Sequence, residues 1–185
     1  MREIEIKIRL QNKERFLKKI AEQGVVLSSP ATQRDQVFSV PGVDGAAKND
    51  APWLRIRTET KDGVISRIFT LKKSVTNQMD SIEHETEITD SNELAKIIDH
   101  LGFVPYSDTT KTRQKARYGD IELCVDQVEG LGDFAEAEKL TEENADYEAV
   151  SGELWRLLES FGATRADHIT DGYDVLMRKK QGLKG

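Results

Sequence analysis

Residues 3–10, EIEIKIRL, alternate along their whole length: Glu3, Glu5, Lys7 and Arg9 fall on one side, Ile4, Ile6, Ile8 and Leu10 on the other. At the period of a β-strand this gives one charged and one apolar face. Further strand-like runs lie at about 32–40, 53–60, 64–74, 82–89, 109–118, 120–128 and 133–140. The runs 53–60 and 64–74 meet at Lys61-Asp62-Gly63, which predicts an antiparallel hairpin. Helices are few. Asn12 caps a stretch with Phe16, Leu17 and Ile20 that Gly24 stops, and Ser91 caps one with Leu94, Ile97, Ile98 and Leu101 that Gly102 stops. A third helix is expected over about 143–161, with Leu154, Leu157, Leu158 and Phe161, and a short one around 170–180. The segment 41–52, PGVDGAAKNDAP, reads as a mobile loop. The fold class expected is therefore α+β, a single domain over 1–185. Its eight antiparallel strands close into a barrel, which removes exposed edges, and the helices pack outside.

The charged alternation recurs. Glu83, Glu85 and Glu87 share a strand face, as do Glu136 and Glu138, while Asp126 opposes Ile121, Leu123 and Val125. Arg55 and Arg57 alternate with Leu54 and Ile56; Lys111, Arg113, Lys115 and Arg117 alternate with neutral residues; Lys72 follows the run IFTL. A charged pair at i, i+2 is most often a solvated face, worth only about 0.2–1 kcal/mol through cross-strand pairing. Two features favour an inward orientation instead. Pairs are of one sign within a strand, whereas solvated faces mix signs. The few helices must also cover the apolar strand faces, which leaves the charged faces to line the interior.

Composition narrows the chemistry. The 185 residues carry 37% hydrophobic and 32% charged residues, with a formal net charge of −6. That balance argues against a nucleic-acid partner. Cys124 is the only cysteine, so no intrachain disulfide forms and a reducing, cytoplasmic location is expected. No signal peptide and no membrane span are expected, since no apolar run approaches 18 residues. In a charged tunnel, clustered carboxylates suit hard divalent cations, Mg²⁺ or Mn²⁺. Facing Arg and Lys side chains suit phosphate oxygens. Together they fit a polyphosphate–metal complex.

These residues resemble the CYTH family, the triphosphate tunnel metalloenzymes, which includes class IV adenylyl cyclases and thiamine and inorganic triphosphatases. The family's E-x-E-x-K looks like Glu3-Ile4-Glu5-Ile6-Lys7, its paired bases like Leu54-Arg55-Ile56-Arg57, and its following lysine like Lys72. Its E-x-E strand is similar to EHETEI, with either Glu83/Glu85 or Glu85/Glu87 as the pair, and its later basic strand to Lys111-Thr112-Arg113. VDQVEGLGDFAEAE, 125–138, is similar to D-x-V-x-G-L-G-x-F-x-E-x-E and supplies Asp126, Glu136 and Glu138; QRDQVF, 33–38, resembles a further family strand. The His-Phe pair that some class IV cyclases carry upstream has no counterpart in the two residues before Glu3.

The resemblance implies an eight-stranded tunnel and metal-dependent chemistry on a bound triphosphate. Lys7, Arg55, Arg57, Lys72, Lys111, Arg113, Glu83 and Glu85 are expected at the substrate, with Lys72, Lys111 and Arg113 in the catalytic role. Glu3, Glu5, Asp126, Glu136 and Glu138 are expected to hold Mg²⁺ or Mn²⁺. The leading reaction is cyclisation of ATP to cyclic AMP and pyrophosphate, the alternative hydrolysis of a terminal phosphate. A non-catalytic polyphosphate binder ranks below both. A lipocalin-like carrier would need every strand turned the other way. The expected partner is a nucleoside triphosphate or other triphosphate, with no membrane and room for a homodimer. His84 and Trp155 are read as structural, Cys124 as a buried inert thiol, and Lys115 and Arg117 as rim residues. Asp171, Gly172 and Tyr173 lie where the family often places a tyrosine near the tunnel mouth.

Overall fold

The computed structural model describes residues 1–42 and 51–183; the expected loop at 41–52 therefore lies mostly outside the described residues. In chain order the elements are β1 (Arg2–Arg9), α1 (Lys13–Glu22), β2 (Ala31–Ser39), β3 (Trp53–Lys61), β4 (Val64–Asn77), β5 (Asp80–Glu87), α2 (Ser91–His100) and β6 (Val104–Tyr118). Then follow β7 (Ile121–Val128), β8 (Gly132–Thr141), α3 (Tyr147–Ser160), a short β9 (His168–Ile169) and α4 (Tyr173–Lys180).

Strands pair antiparallel in the order β5-β4-β3-β2-β6-β7-β8-β1, and β1 pairs back with β5 to close an eight-stranded barrel. β1 is the seam. One edge runs along β8, whereas the other meets β5 at Arg2, Glu3 and Ile4 and then β9 at Lys7 and Ile8. The β3–β4 hairpin turns on Asp62 and Gly63, both at positive φ (50° and 81°), as a two-residue Asp-Gly turn requires.

The orientation question raised by β1 is answered outward for its isoleucines. Ile4, Ile6 and Ile8 are buried against Phe16 and Ile20 of α1 and Leu154, Leu157 and Leu158 of α3. Leu54 and Ile56 of β3 bury against Ile98 of α2. The apolar core thus lies between barrel and helices, and each such side chain contributes about 1.5–3 kcal/mol. The charged alternates are left to face the lumen.

Local details differ from the sequence expectation where caps and long-range pairing intervene. Asp90, not Ser91, caps α2, because its carboxylate accepts from the Asn92 and Glu93 amides. α3 begins after Asp146, which caps it in the same way. Arg2 forms a buried bidentate pair with Asp80 (2.6 and 2.9 Å) and donates to the Glu143 and Ala145 carbonyls, pinning the start of β1 to β5 and to the β8–α3 connection. Among the described residues no helix is long and apolar enough to cross a membrane.

Candidate functional site

The inward faces bring the sequence-selected charges together. β1 and β8 pair Glu5 opposite Glu138 and Lys7 opposite Glu136. β6 and β7 set Arg113 opposite Asp126. Across the barrel, β3, β4 and β5 align Arg55 with Thr70 and Glu85, and Lys72 with Glu83.

Arg113 is the hub of one wall. Its Nε and Nη2 reach Asp126 at 2.7 and 2.6 Å, Nη2 also contacts Glu136, and Nη1 lies 3.3 Å from Glu138. Lys7 Nζ sits 3.0 Å from Glu5 and 3.2 Å from Glu136. Burial opposes the charge on Lys7, but these two carboxylates outweigh it and hold the ammonium protonated well above its usual range. On the facing wall Lys72 pairs with Glu83 at 2.6 Å and reaches Glu3 at 3.8 Å. Arg55 donates to Glu85 (3.0 Å) and to Thr70, whose hydroxyl in turn donates to Glu85. Glu83 and Glu85 are therefore the pair of EHETEI that meets the basic residues, while Glu87 stands opposite Ile68.

Two residues join the cluster that sequence reasoning did not select. Asp35 accepts from Arg57 Nε and Nη2 at 2.7 Å each and from Lys111 at 3.3 Å. Burial works against its ionisation, but Arg57 and Lys111 hold its carboxyl well below the usual range. Its strand neighbours in phase are Ala31, Gln33 and Val37. A same-sign pair criterion passes over a single acid. Thr70 is the second, neutral in sequence and visible only through its partners. Tyr173 at the start of α4 also points in: its hydroxyl donates to Asp126 at 2.9 Å, and its ring lies 4.5 Å from Lys7 Nζ and 5.1 Å from Lys111 Nζ.

Every base assigned to the phosphate thus has a carboxylate partner, and the named acids outnumber the bases. The carboxylates respond unequally. Burial, then neighbouring acids, push Glu3 up to about 7, whereas Lys72 and Arg55 overcome burial to hold Glu83 at about 2. Burial drives Glu138 well above its usual range; Arg113 and Lys7 keep its partner Glu136 low despite burial. Lys111, buried and facing Arg113, is pushed down to about 8.

Oxygens of Glu5, Glu136 and Glu138 approach within 4.8 Å of one another. Glu5 Oε1 is buried without a hydrogen-bond donor aligned on it, although Lys7 lies at ion-pair distance. Three converging carboxylates, one with a buried oxygen held only by Lys7, are a donor set a hard divalent cation fits. Glu3 and Asp126 stand apart from this trio: Glu3 lies with Lys72, and Asp126 is taken up by Arg113 and Tyr173.

Residues set aside on sequence grounds fall elsewhere. His84 is exposed. Trp155 packs edge-on to His168. Lys115 pairs with Glu122 at the rim. Cys124 is fully buried facing the lumen, and burial raises its thiol well above the usual range, so it is a poor nucleophile.

The profile of the CYTH domain matches residues 1–173. The chain belongs to the CYTH domain family. Members are adenylyl cyclase-like or triphosphatase enzymes, generally dependent on divalent metals. A protein of Methanocaldococcus jannaschii named as a candidate adenylate cyclase is 28% identical over 173 residues, spanning 94% of this chain and 97% of its own. The adenylate cyclase CyaB of Aeromonas hydrophila is 26% identical over 98% of this chain and 91% of its own. In fold, a Pyrococcus horikoshii structure superposes with a TM-score of 0.82 at 24% identity, covering 96% of this chain and 99% of the other. A Hippeastrum structure, described as a candidate adenylyl cyclase with a dominant triphosphatase activity, has a TM-score of 0.61 at 20% identity, covering 99% and 97%.

Proposed function

We propose that this CYTH protein is a divalent-metal-dependent enzyme that cyclises ATP to cyclic AMP and pyrophosphate. The observation that carries the reading is the lumen: six basic side chains ring a buried channel in which Glu5, Glu136 and Glu138 converge. Lys7, Arg55, Arg57, Lys72, Lys111 and Arg113 bind phosphate oxygens, exchanging carboxylate partners for phosphate. Lys72, Lys111 and Arg113 offset the charge that develops as the leaving pyrophosphate separates. Glu83 and Glu85 orient Lys72 and Arg55. Glu5, Glu136 and Glu138 would hold Mg²⁺ or Mn²⁺, while Glu3 stays with Lys72 and Asp126 with Arg113. The cation supplies Lewis acidity and lowers the pKa of a bound hydroxyl or water.

In cyclisation the ribose 3′-oxygen bonds to the α-phosphorus, the bond from that phosphorus to the bridging oxygen breaks, and the 3′-hydroxyl proton is lost. A second reading, hydrolysis of the terminal phosphate, is favoured by the similarity to the Hippeastrum protein. Incubation with Mn²⁺ and ATP, thiamine triphosphate or tripolyphosphate, followed by chromatography, separates the two. Cyclic AMP with pyrophosphate supports the first and orthophosphate the second. No turnover of any of them leaves neither standing.

A further inference from the structure

One stretch of the lumen wall is built of hydrogen-bond acceptors and carbon rather than of cations. Gln33 of β2 lies in phase with Asp35, and the register sets it opposite Glu59 of β3 and Lys111 of β6. It is 1% exposed, and its Nε2 donates to Glu59 at 2.5 Å. A carboxylate only accepts, so Glu59 fixes the amide with its nitrogen toward β3 and its carbonyl turned away. That carbonyl oxygen, Oε1, is buried and receives no hydrogen bond from the protein. Lys111 directs its ammonium to Asp35 at 3.3 Å, and Arg113 is taken up by Asp126, Glu136 and Glu138. A buried acceptor left unmade costs free energy that a donor on a ligand recovers. On β4, Ser66 stands opposite Glu59, and Ile68 stands opposite Arg57, in phase with Thr70 and Lys72. Ile68 is half-buried, yet among the described residues it joins none of the apolar clusters that the helices cover.

We infer that Gln33, held in place by Glu59, is a specificity-determining residue whose carbonyl accepts a hydrogen bond from the organic group of a nucleoside triphosphate. The inference rests on the triphosphate reading and names what selects the substrate within it. Ionised phosphate oxygens only accept, so a phosphate chain gains nothing from Gln33 and is repelled by Glu59. It pairs instead with Arg57, one alternation or about 7 Å from Glu59 along β3. Over that distance the group bonded to the phosphates reaches Gln33. Ribose hydroxyls and the adenine amino group both carry the donor that Oε1 lacks, and Ile68 supplies carbon surface for a sugar or base to pack on. A site built to hydrogen-bond a substrate group rejects the analogue without it, because the polar atom of the site is then left buried and unpaired. Inorganic tripolyphosphate leaves Gln33 in that unpaired state.

Calorimetry in the absence of metal compares the binding of ATP, 2′-deoxy-ATP, 3′-deoxy-ATP, inosine triphosphate and tripolyphosphate. The wild type is expected to bind ATP about tenfold more tightly than the analogue lacking the donor. A deoxy analogue that weakens assigns the donor to a ribose hydroxyl, and inosine triphosphate that weakens assigns it to the purine amino group. Gln33→Met keeps the length of the side chain without its acceptor, and should bring the gap within about twofold. Glu59→Gln, at a half-buried position, lets the Gln33 amide turn over and should narrow the gap to about threefold or less. Equal affinity of the wild type for ATP and every analogue overturns the inference. A gap that survives in Gln33→Met overturns it too, and where that variant does not fold, Glu59→Gln decides in its place. Tripolyphosphate bound without any preference among the nucleotides sinks the inference alone, whereas a wild type that binds none of the five brings down the triphosphate reading with it.

Discussion

Asp35 offers the sharpest single test of how the lumen is held together. Asp35→Ala removes the one carboxylate that serves both Arg57 and Lys111, and leaves two buried cations beside Arg113 without the acid that bonds them directly. Breaking a buried pair by deleting one partner costs about 3–5 kcal/mol. Deprotonation of Lys111, already pushed down to about 8, relieves part of this, so the lower end of that range is expected. For a chain of this size each kcal/mol moves the melting temperature by about 2–4 °C, so a drop of roughly 6–12 °C should appear in circular dichroism melts at neutral pH. A bound polyanion replaces the missing charge. Tripolyphosphate at a hundredfold excess over Kd stabilises any protein that binds it only when folded by about 2.7 kcal/mol. Because Asp35 no longer competes for Arg57 and Lys111, the variant should bind metal-free tripolyphosphate more tightly than the wild type and gain more degrees from the same concentration. A drop of less than about 2 °C would show that Asp35 neutralises little. A smaller tripolyphosphate shift in the variant than in the wild type would refute the idea that the carboxylate and phosphate share these cations.

Glu136→Ala and Glu138→Ala each remove an oxygen from the converging trio while Arg57 and Lys111 stay paired to Asp35. Turnover with Mn²⁺ should fall by about a hundredfold or more, with metal-free polyphosphate binding retained in calorimetry. Asp80→Ala orphans Arg2 on the outward face of β1; it should lower stability by about 3 kcal/mol in urea denaturation without changing the affinity for tripolyphosphate. Lys111 has a folded pKa of about 8 against 10.5 when unfolded, so between those values the unfolded chain binds the extra proton and stability rises with pH. Lys111→Met should remove that rise from pH-dependent melts, and in the wild type metal-free tripolyphosphate affinity should weaken above pH 8 as the ammonium is lost.

Much of this architecture is local in origin. Strict alternation in EIEIKIRL, LRIR and FAEAE assigns each side chain to one of two faces whatever the tertiary fold, because successive Cβ atoms point to opposite sides of a strand. Once α1, α2 and α3 need apolar partners, the charged faces must line the barrel. The inward direction of the charged faces was therefore legible from spacing, whereas the lone acid Asp35 was not. Which charge meets which was not. Asp35 finds Arg57 and Lys111 because β2 happens to lie between β3 and β6, a pairing between segments some 20 and 75 residues away that no local pattern encodes. β9 is two residues long and forms only because the second half of β1 lacks β5 as a neighbour. The chain segment around Tyr173 reads as a short amphipathic helix with a tyrosine. Only the folded barrel, where Phe134 and Val128 pack against Tyr173, decides that the ring goes inside. Face assignment is a property of neighbouring residues. Pairing and closure depend on contacts between distant segments, whose geometry exists only once the sheet has folded.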